Sequence, residues 1–426
     1  MSTRSPISPR LLSRGVSIRD GRAFIHRIAV AELAEEFGTP LFVYDAEHIR
    51  AEVTAAVQAT EWQVAYASKA FLCRELARMM DSLGVHMDVA SGGELHVALS
   101  AGFDPARIVF HGNNKSEAEI EYGVAAGVGL FVIDSLAEIA RLERAAKAAG
   151  RRQPVLVRVT PGVEAHTHEY IMTGQEDSKF GFSVTSGAAE EALRAVRSSS
   201  WLDFQGIHAH IGSQIFLLDS YAKEVDALAV LVQAHSPRIL NLGGGLGVAY
   251  VAGEENPGFD AWAAQLFAAL ERNGIDREVR VMVEPGRSLV AQSAMTVYRV
   301  GTIKRLEGLR TYVSVDGGMS DNPRPVLYGS GYEAFMPEAA DAERDQIATV
   351  VGKHCESGDV LIRDAWLPSS LAEGDLLATP VTGAYGYSMA SNYNRVPRPP
   401  VVFVDREGAR LAVRGESFED MVRLDL

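Results

Sequence analysis

Short apolar runs alternate with longer amphipathic stretches between Trp62 and Gly286. This rhythm indicates βα units that assemble around a parallel sheet. Eight periods are present, and eight βα repeats predict a (β/α)8 TIM barrel whose catalytic groups lie where the strands end. The predicted strands are Gln63–Ser68, His86–Ala90, Ile108–His111, Leu130–Asp134, Val155–Thr160, Gln205–His210, Ile239–Leu242 and Arg280–Glu284.

The stretches between these strands carry helix start and stop signals. Leu72–Leu83 is followed by Gly84, a residue that commonly ends a helix. Ser135–Ala149 begins with Ser135 and Glu138, which have the spacing of a capping box, and stops before a glycine. We therefore expect helices between the barrel strands.

After Val290 the apolar runs have β character and lack crossover helices, which predicts an antiparallel β domain. The N-terminal residues, including Leu41–Tyr44, are expected to add a strand or two to it. The predicted organisation is therefore 1–45 with the β domain, 46–292 as the barrel and 293–426 as the main β domain. Its predicted strands are Thr296–Ile303, Tyr312–Val315, Ala348–Val351, Val360–Arg363, Leu376–Val381, Pro400–Val404 and Arg410–Val413.

Composition narrows the class of partner. The net charge is −14 and no basic run is present, which argues against nucleic acid and favours small molecules. Cys73 and Cys355 lie far apart without CxxC spacing, so neither a disulfide framework nor a zinc site is expected, and a reducing cytoplasm fits. Without a signal-peptide h-region or 18 consecutive apolar residues, we expect no secretion and no membrane insertion.

Lys69 follows the first predicted strand, where alternation places it on the face opposite Tyr66. A lysine at a strand end is by itself more often a solvated side chain. The functional alternative is a lysine that forms a Schiff base with a carbonyl compound. The groups that end the other strands favour this alternative.

Three polar residues end the second and sixth predicted strands. Asp88 could orient the Lys69 ammonium, although it could equally be a helix N-cap. His208 and His210 share one strand face, but no further ligands occur at a metal-like spacing, so no metal site is predicted. His210 is interpreted as an imidazole stacked on an aromatic ring, whereas His208 could equally be a core histidine.

The seventh and eighth predicted strands run into glycine-rich turns. Gly243, Gly244 and Gly245 are consecutive, which would let backbone N–H groups approach a phosphate closely, although a tight turn is the alternative. Glu284–Arg287 ends the eighth strand, and the loops after strands seven and eight often form a barrel's phosphate site. Glu284 would keep a pyridine nitrogen protonated; a salt bridge with Arg287 is the structural alternative.

Three motifs in the predicted β domain are unusually dense in Gly, Asn, Tyr and Cys for simple connections. They are Asp316–Pro325, Cys355–Asp359 and Gly383–Met389. Such loops are expected to face a barrel mouth. The spacing leaves open whether this mouth belongs to the same chain or to a second subunit.

With these motifs assembled, the chain resembles the fold-type III pyridoxal-phosphate enzymes of the alanine racemase and ornithine decarboxylase class. Within the class, the resemblance is closest to the enzymes that decarboxylate meso-2,6-diaminopimelate. It covers most of the chain, from about Phe42 to Arg398. The matching segments are Tyr66–Ala70, His210–Gln214, Glu284–Arg287, Asp321–Pro325, Cys355–Asp359 and Gly383–Asn394.

The resemblance implies pyridoxal 5′-phosphate bound to Lys69 and a head-to-tail homodimer with two shared active sites. Cys355 would come from the partner subunit and manage protonation at Cα. The first 15 residues match no motif and are expected to form a mobile tail. The implied catalytic residues are Lys69, Cys355, His210 and Glu284. The implied cofactor contacts are Lys69, Asp88, His210, Ser213, Gly243, Gly244, Gly245, Glu284, Pro285, Gly286, Arg287 and Tyr385. The implied substrate contacts are Arg287, Arg324, Tyr328, Glu356 and Tyr385.

The implied reaction converts the D-centre of meso-2,6-diaminopimelate to give L-lysine and CO2 in lysine biosynthesis. Arg324 and Tyr328 would suit the distal carboxylate, and Glu356 an ammonium group. Rival interpretations are a decarboxylase of ornithine, arginine or carboxynorspermidine, a non-catalytic cofactor-binding protein, and an amino-acid racemase. The β-domain motifs argue against a non-catalytic cofactor-binding protein. The strong electron sink at Glu284 argues against an amino-acid racemase.

Overall fold

The computed structural model describes residues 6–163, 178–275 and 278–426. Contacts divide the chain into two compact units. Met1–Glu52, Val248–Glu255 and Ser288–Leu426 form one unit, and Val53–Gly247 with Asn256–Arg287 form the other. The sequence placed Val248–Glu255 in the barrel, but its contacts assign this segment to the other unit.

Eight parallel strands close into a barrel in the second unit. They pair in chain order, and the fourth and fifth strands close the ring, with Phe131 opposite Val155. The predicted TIM barrel and all eight predicted strands are therefore confirmed. An additional two-residue strand, Phe182–Ser183, pairs with the fifth strand. The barrel strands are Gln63–Ala67, His86–Val89, Ile108–Phe110, Leu130–Ile133, Gln153–Thr160, Leu202–His208, Ile239–Asn241 and Arg280–Val283.

An apolar layer fills the barrel interior. Strand alternation puts residues two apart on the same face, so His111, Asn241 and Glu284 share the inward face with members of this layer. A polar layer thus follows the apolar one towards the C-terminal ends of the strands. The apolar layer consists of Ala65, Val109, Leu130, Val132, Leu156, Ile239 and Met282.

Helices connect the barrel strands, and serine residues cap several of them. Ser135 Oγ accepts a hydrogen bond from Glu138 N–H, as predicted. The reciprocal half of the capping box is absent, because the Glu138 carboxylate accepts from Asp134 N–H and pairs with Lys115 instead. The helices are Arg74–Ser82, Gly92–Ser100, Glu117–Ala126, Leu136–Ala148, Ala188–Ser198, Asp219–His235 and Phe259–Arg272.

The other unit contains an eight-stranded sheet. The seven strands predicted after Val290 are confirmed, as is the contribution of Leu41–Asp45. The sheet is mostly antiparallel, but Gln346–Val351 runs parallel to Arg310–Val315, and Val401–Val404 runs parallel to Leu41–Asp45. The long connection before Gln346 returns the chain to the same end of the sheet, which permits parallel pairing. The path is Val360–Leu367, Gln346–Val351, Arg310–Val315, Ala294–Leu306, Leu41–Asp45, Val401–Val404 and Ala409–Val413, with Leu376–Pro380 paired to Ala294–Leu306.

The N-terminal residues are packed rather than loose. Ile7 and Leu11 are buried, and Ser13 Oγ donates to Asp45 Oδ2 at 2.8 Å. The mobile-tail expectation is therefore wrong for residues 6–15; residues 1–5 lie outside the described part. An antiparallel sheet of Val16–Arg19, Arg22–Ile25 and Ile28–Ala29 follows. The remaining α-helices are Val30–Phe37, Ala46–Thr60, Arg287–Val290, Arg324–Tyr328 and Phe418–Val422, and the 3-10 turns are Pro9–Leu11, Ser68–Ala70, Pro105–Arg107, Tyr387–Met389 and Tyr393–Arg395.

Among the described helices, none has both the length and the apolar character required to cross a bilayer.

Candidate active site

Lys69 lies in the 3-10 turn Ser68–Ala70, directly after the first barrel strand. Its side chain is exposed and forms no hydrogen bond with any residue that the structure describes. Tyr66, on the opposite strand face, is buried and its hydroxyl donates to Phe71 O at 2.6 Å. The lysine amine is therefore accessible at the C-terminal rim of the barrel.

Asp88 lies near Lys69 at the end of the second strand. It is buried, and its Oδ1 has no hydrogen-bond partner within the described ranges. Burial raises the pKa of this carboxyl group well above its usual value, Glu284 adds to the rise, and the Lys69 ammonium opposes it. Ser91, not Asp88, caps the following helix through its Oγ, so the N-cap interpretation of Asp88 is wrong.

His210 follows the sixth strand and is half-buried. Burial and the positive charge of Lys69 hold its pKa well below the usual histidine value, so the ring is neutral. Its Nδ1 accepts a hydrogen bond from Gly244 N–H at 3.2 Å. His210 is thus oriented by the glycine turn of the next strand.

The glycine turn requires residues without side chains. A Cβ on Gly244 would lie 2.1 Å from Glu284 O, and one on Gly245 would lie 2.1 Å from Gly212 O. Gly243 has a φ of 61°. The close approach of three neighbouring loops therefore explains the three consecutive glycines.

Two of the three glycine amides already have partners. Gly243 N–H donates to Asn241 Oδ1 at 2.9 Å, and Gly244 N–H donates to His210 Nδ1. These two amides point to side chains rather than to an open anion site, which corrects the expectation that all three serve a phosphate. A phosphate contact in this turn would rest on Gly245.

The loop after the eighth strand lies against the first strand. Ala67 N–H donates to Pro285 O at 3.2 Å, and a Cβ on Gly286 would lie 2.9 Å from Ala67 O. Arg287 Nη2 donates to Ser213 Oγ at 3.0 Å. Arg287 and Ser213 thus bring a cation and a hydroxyl together near the barrel rim, a combination that suits a phosphate.

Glu284 is bound by three side chains. His111 Nε2 lies 2.9 Å from its Oε1, His208 Nε2 lies 3.0 Å from its Oε2, and Asn241 Nδ2 also donates to Oε1. Burial raises the pKa of Glu284, but the two imidazoles outweigh this and hold it well below its usual value. Within the described ranges these contacts replace the proposed salt bridge with Arg287, so that alternative is wrong.

His111 and Asn241 were not singled out from the sequence. Both follow apolar residues of the inward face, because Val109 and Ile239 lie two positions earlier. Extending this alternation to the ends of strands three and seven would have placed them beside Glu284. Strand alternation therefore predicts the positions of His111 and Asn241, but only when the register of the barrel strands is known.

His111, His208 and Glu284 have the composition of a metal site, and one ligand atom from each lies within 4.8 Å of the others. The sequence spacing had not indicated this cluster. A metal-bound histidine normally donates its second ring N–H to an acceptor, whereas His208 Nδ1 is buried without a partner among the described residues. The geometry therefore favours Nε2–H donors to the carboxylate over a metal.

Arg324 is the buried cation among the β-domain residues that the sequence resemblance assigns to substrate binding. Its side chain is buried, Nη1 donates to Tyr332 Oη at 2.7 Å, and Nη2 donates to Ser330 Oγ at 3.1 Å. Its guanidinium carbon lies 3.8 Å from the ring centroid of Tyr250. Across the described residues its hydrogen-bond partners are hydroxyl groups and none is a carboxylate, and its Nε is buried without a hydrogen bond. This cation is therefore suited to an anionic ligand.

Two further tyrosines were assigned to substrate binding. Tyr328 ends the short helix that begins at Arg324 and is half-buried. Tyr385 is half-buried with a φ of 58°, an uncommon conformation for a residue with a side chain. Burial lowers the pKa of Arg324, but the phenols of Tyr250, Tyr332 and Tyr385 together raise it above its usual value.

Cys355 and Glu356 lie on an exposed loop. Cys355 N–H donates to Asn394 Oδ1 at 2.9 Å, so the backbone of this loop is fixed. Asp359 links the loop to the first motif, because its Oδ2 accepts from His354 N–H at 2.9 Å and its Oδ1 accepts from Met319 N–H at 2.7 Å. The three dense motifs of the β domain are thus ordered loops, two of them joined by one carboxylate.

Comparison with known families gives a match over residues 46–291 to the family described as pyridoxal-dependent decarboxylase, pyridoxal binding domain. The matched segment contains the whole barrel, including Lys69, His210 and Glu284. The chain belongs to the pyridoxal-dependent decarboxylase family.

Relatives within this decarboxylase family are similar over nearly the whole chain. The diaminopimelate decarboxylase of Halalkalibacterium halodurans is 44% identical and covers 95% of each chain. That of Bacillus subtilis is 45% identical, over 92% of this chain and 93% of its own. The crystal structure of diaminopimelate decarboxylase from M. jannaschii in complex with L-lysine has a TM-score of 0.89 and 33% identity, covering 97% of this chain and 98% of that one.

The barrel residues fit the cofactor of a pyridoxal-dependent decarboxylase. Asp88 offers a buried carboxylate oxygen without a partner, and Glu284 is an ionised acceptor at the same rim. Arg287 and Ser213 offer the donors that a phosphate requires. An accessible lysine amine, an ionised carboxylate and a cation paired with a hydroxyl are therefore present on one barrel, and these are the groups that this cofactor requires.

Proposed function

We propose that this chain decarboxylates meso-2,6-diaminopimelate at its D-centre and releases L-lysine and CO2. The single observation that carries the proposal beyond the family is the buried guanidinium of Arg324, which has no carboxylate partner among the described residues. A second carboxylate on the substrate would supply one. The diaminopimelate decarboxylases that are 44–45% identical support the same substrate.

In the barrel, Lys69 would hold pyridoxal 5′-phosphate through a covalent bond to its Nζ. Glu284 would face the ring nitrogen, and the neutral imidazole of His210 would stack on the ring. When bound, this cofactor supplies an electron sink that stabilises negative charge at the substrate Cα. Remaining contacts would come from Asp88, Ser213, Gly245, Pro285, Gly286, Arg287 and Tyr385, while Gly243 and Gly244 would support them through their hydrogen bonds to Asn241 and His210.

Arg324 would bind the distal carboxylate of the substrate. Its Nη1 and Nη2 each have one hydroxyl partner, while Nε–H has none within the described residues. A planar guanidinium with free N–H groups along one edge can bind a carboxylate through two parallel hydrogen bonds. Tyr328 and Tyr385 would add hydroxyl groups, and Glu356 would accept from the distal ammonium. Arg287 completes the proposed substrate set.

The proton that returns to Cα would come from Cys355 or Lys69. Cys355 is a free, exposed thiol, and its backbone is held by Asn394, which are suitable properties for a positioned donor. Lys69 carries an accessible amine. Cys355→Ala keeps the Lys69 anchor and distinguishes the two donors: a large fall in the rate of Cα protonation supports Cys355, and an unchanged rate supports Lys69.

We also propose a cytoplasmic homodimer in which each active site uses Cys355 and Glu356 of the partner subunit. Light scattering tests the dimer. Mixing Lys69→Ala with Cys355→Ala chains after unfolding tests the sharing, because about half the dimers would be mixed and each would contain one intact site, restoring about a quarter of the activity. Recovery that stays at the level of the separate variants would show that each site uses one chain only.

The substrate is tested by turnover on meso-2,6-diaminopimelate, L-ornithine and L-arginine, with evolved CO2 as the measured product. We expect clear preference for diaminopimelate, because the other two substrates leave Arg324 without a carboxylate. Preference for L-ornithine or L-arginine would support the alternative decarboxylase and contradict the proposal. Loss of the bound cofactor's visible absorbance in Lys69→Ala, with unchanged circular dichroism, tests the anchor separately.

A further inference from the structure

Four barrel strands converge on one carboxylate. His111 follows the third strand, while His208 and Asn241 are the last residues of the sixth and seventh. All three direct nitrogen atoms to Glu284, which follows the eighth strand. The carboxylate is thus held by side chains from three separate strands.

The direction of these hydrogen bonds is fixed by the charge states. Glu284 is ionised, so it can only accept. Burial lowers the pKa of His208 to about 4, so its ring is neutral and carries a single N–H. That proton must lie on Nε2 to reach Glu284, and the His111 Nε2 that faces Oε1 must likewise be a donor.

The three hydrogen-bond donors do not occupy every acceptor site of the Glu284 carboxylate. An ionised carboxylate offers about four lone-pair sites, and His111, His208 and Asn241 fill three of them. Among the residues that the structure describes, no fourth side chain donates to Glu284, so one of its acceptor sites remains for a further N–H group. A protonated pyridine nitrogen has a single N–H and a positive charge, both of which suit this acceptor.

We propose that His111 is a positioning residue, which with His208 and Asn241 keeps Glu284 ionised and leaves one of its acceptor sites for the ring N–H of the cofactor. The inference rests on the proposed function for the identity of that cofactor. It assigns a role to His111, a residue that does not itself react. Its contribution is to maintain the electron sink.

His111 is well suited to this role because its backbone and its loop are fixed. Its N–H donates to Val89 O at 2.7 Å. Lys115, four residues later, donates to Gly112 O at 2.7 Å and closes the loop. These hydrogen bonds therefore hold the backbone that carries the His111 imidazole.

Asn241 couples the same carboxylate to the glycine turn. Its Oδ1 accepts from Gly243 N–H at 2.9 Å, which fixes the orientation of the amide and directs Nδ2 to Glu284. Glu284 N–H in turn donates to Gly243 O at 2.6 Å. The partner of the ring nitrogen and the turn beside it are thus one hydrogen-bonded unit.

The test measures the protonation of the ring nitrogen directly. Wild type, His111→Leu and His111→Gln are loaded with pyridoxal phosphate that is labelled with nitrogen-15 in the ring, and the nitrogen shift is followed with pH. We expect the ring nitrogen to be protonated in the wild type. In His111→Leu the pH at which this nitrogen loses its proton should be lower than in the wild type. In His111→Gln, which retains an N–H donor, that pH should return towards the wild-type value. We also expect kcat to fall by roughly tenfold or more in His111→Leu, with KM within about twofold.

An unchanged nitrogen shift in a folded, cofactor-loaded His111→Leu protein would overturn the inference. Melting temperatures and circular dichroism exclude misfolding as the cause of any loss. If His111→Leu does not fold, His208→Leu removes the donor to the other oxygen of Glu284 and tests the same inference. Failure of the proposed function is distinguishable, because it would appear in the wild type as absent cofactor binding or a different preferred substrate.

Discussion

Lys115 Nζ lies 2.6 Å from Oε1 of Glu138, and both side chains are buried. The ammonium also donates hydrogen bonds to the carbonyl groups of Gly112 and Val132, at 2.7 and 2.8 Å. Burial lowers the pKa of Lys115 and raises that of Glu138, while each charge opposes the shift of the other. The pair joins the loop that carries His111 to the helix Leu136–Ala148.

Removing one member of this pair should be strongly destabilising. Lys115→Met would leave Glu138 as a buried charge without a counter-ion, which costs about 3–5 kcal/mol. Urea unfolding followed by circular dichroism measures the effect. The exposed pair Arg144–Glu117 provides the control, and Arg144→Met should cost less than about 1 kcal/mol.

A double variant separates charge from packing. Lys115→Met with Glu138→Leu removes both charges and should recover much of the lost stability, since apolar side chains of similar volume can replace a buried ion pair. Equal destabilisation in the single and double variants would mean that shape, not charge, dominates at this site.

Arg324→Ala should raise KM for meso-2,6-diaminopimelate by roughly tenfold or more, because a lost hydrogen bond to a charged group costs about 1.5–3 kcal/mol. Steady-state kinetics measures this change. Tyr332→Phe is the matched control: it removes one partner of Nη1 but keeps the guanidinium, so its effect on KM should be smaller. An unaltered KM in Arg324→Ala would place the distal carboxylate elsewhere.

Much of the fold could be predicted because strand and helix periods are local. The apolar runs of the barrel and the β domain identified their strands within a few residues. Strand direction in the β domain was not local: Val401–Val404 pairs with Leu41–Asp45, from the opposite end of the chain. No pattern within either segment specifies that parallel partner.

The same distinction applies to the site. Lys69, His210 and Glu284 stand in motifs whose neighbours indicate their chemistry. One of the three partners of Glu284, His111, lies 173 residues away, at the end of a strand that carries no distinctive motif. Glu138 shows a competing effect, because its spacing from Ser135 indicated a capping box, but the buried Lys115 ammonium attracts its carboxylate.

Stability should fall as pH is lowered from about 6.5 to about 4. Burial lowers the pKa of His48 to about 4, and its Nδ1 accepts from Arg14 N–H at 3.0 Å. The unfolded chain, whose histidine has an ordinary pKa, binds protons first on acidification, so the folded state loses about 1–3 kcal/mol over this range. His208 acts in the same direction.

The contribution of His48 is isolated by comparison with His48→Gln, which retains an acceptor but does not titrate. Melting temperatures of both proteins are measured from pH 7 to pH 4. Asp321, with a pKa raised by burial to about 7, has the opposite pH dependence, but it is common to both proteins. The wild type should therefore lose more stability than the variant, and parallel profiles would rule out His48 as a source.

Gly244→Ala should weaken cofactor binding. The new Cβ would lie 2.1 Å from Glu284 O, so the turn or the eighth strand must shift, and overpacking of this kind costs about 1–3 kcal/mol. The shift would displace the Gly244 N–H from His210 Nδ1 and move the backbone of Glu284. Titration with pyridoxal phosphate, followed by absorbance, measures the affinity.

The matched control for this substitution is Gly93→Ala. A Cβ on Gly93 would meet only Ser91 Oγ, at 3.7 Å, which is ordinary contact, and alanine is the better helix former by about 1 kcal/mol. Gly93→Ala should therefore bind the cofactor as the wild type does. Equal affinity in both variants and the wild type would show that the turn yields without disturbing His210 or Glu284, and the close packing of the three loops would then be unimportant for cofactor binding.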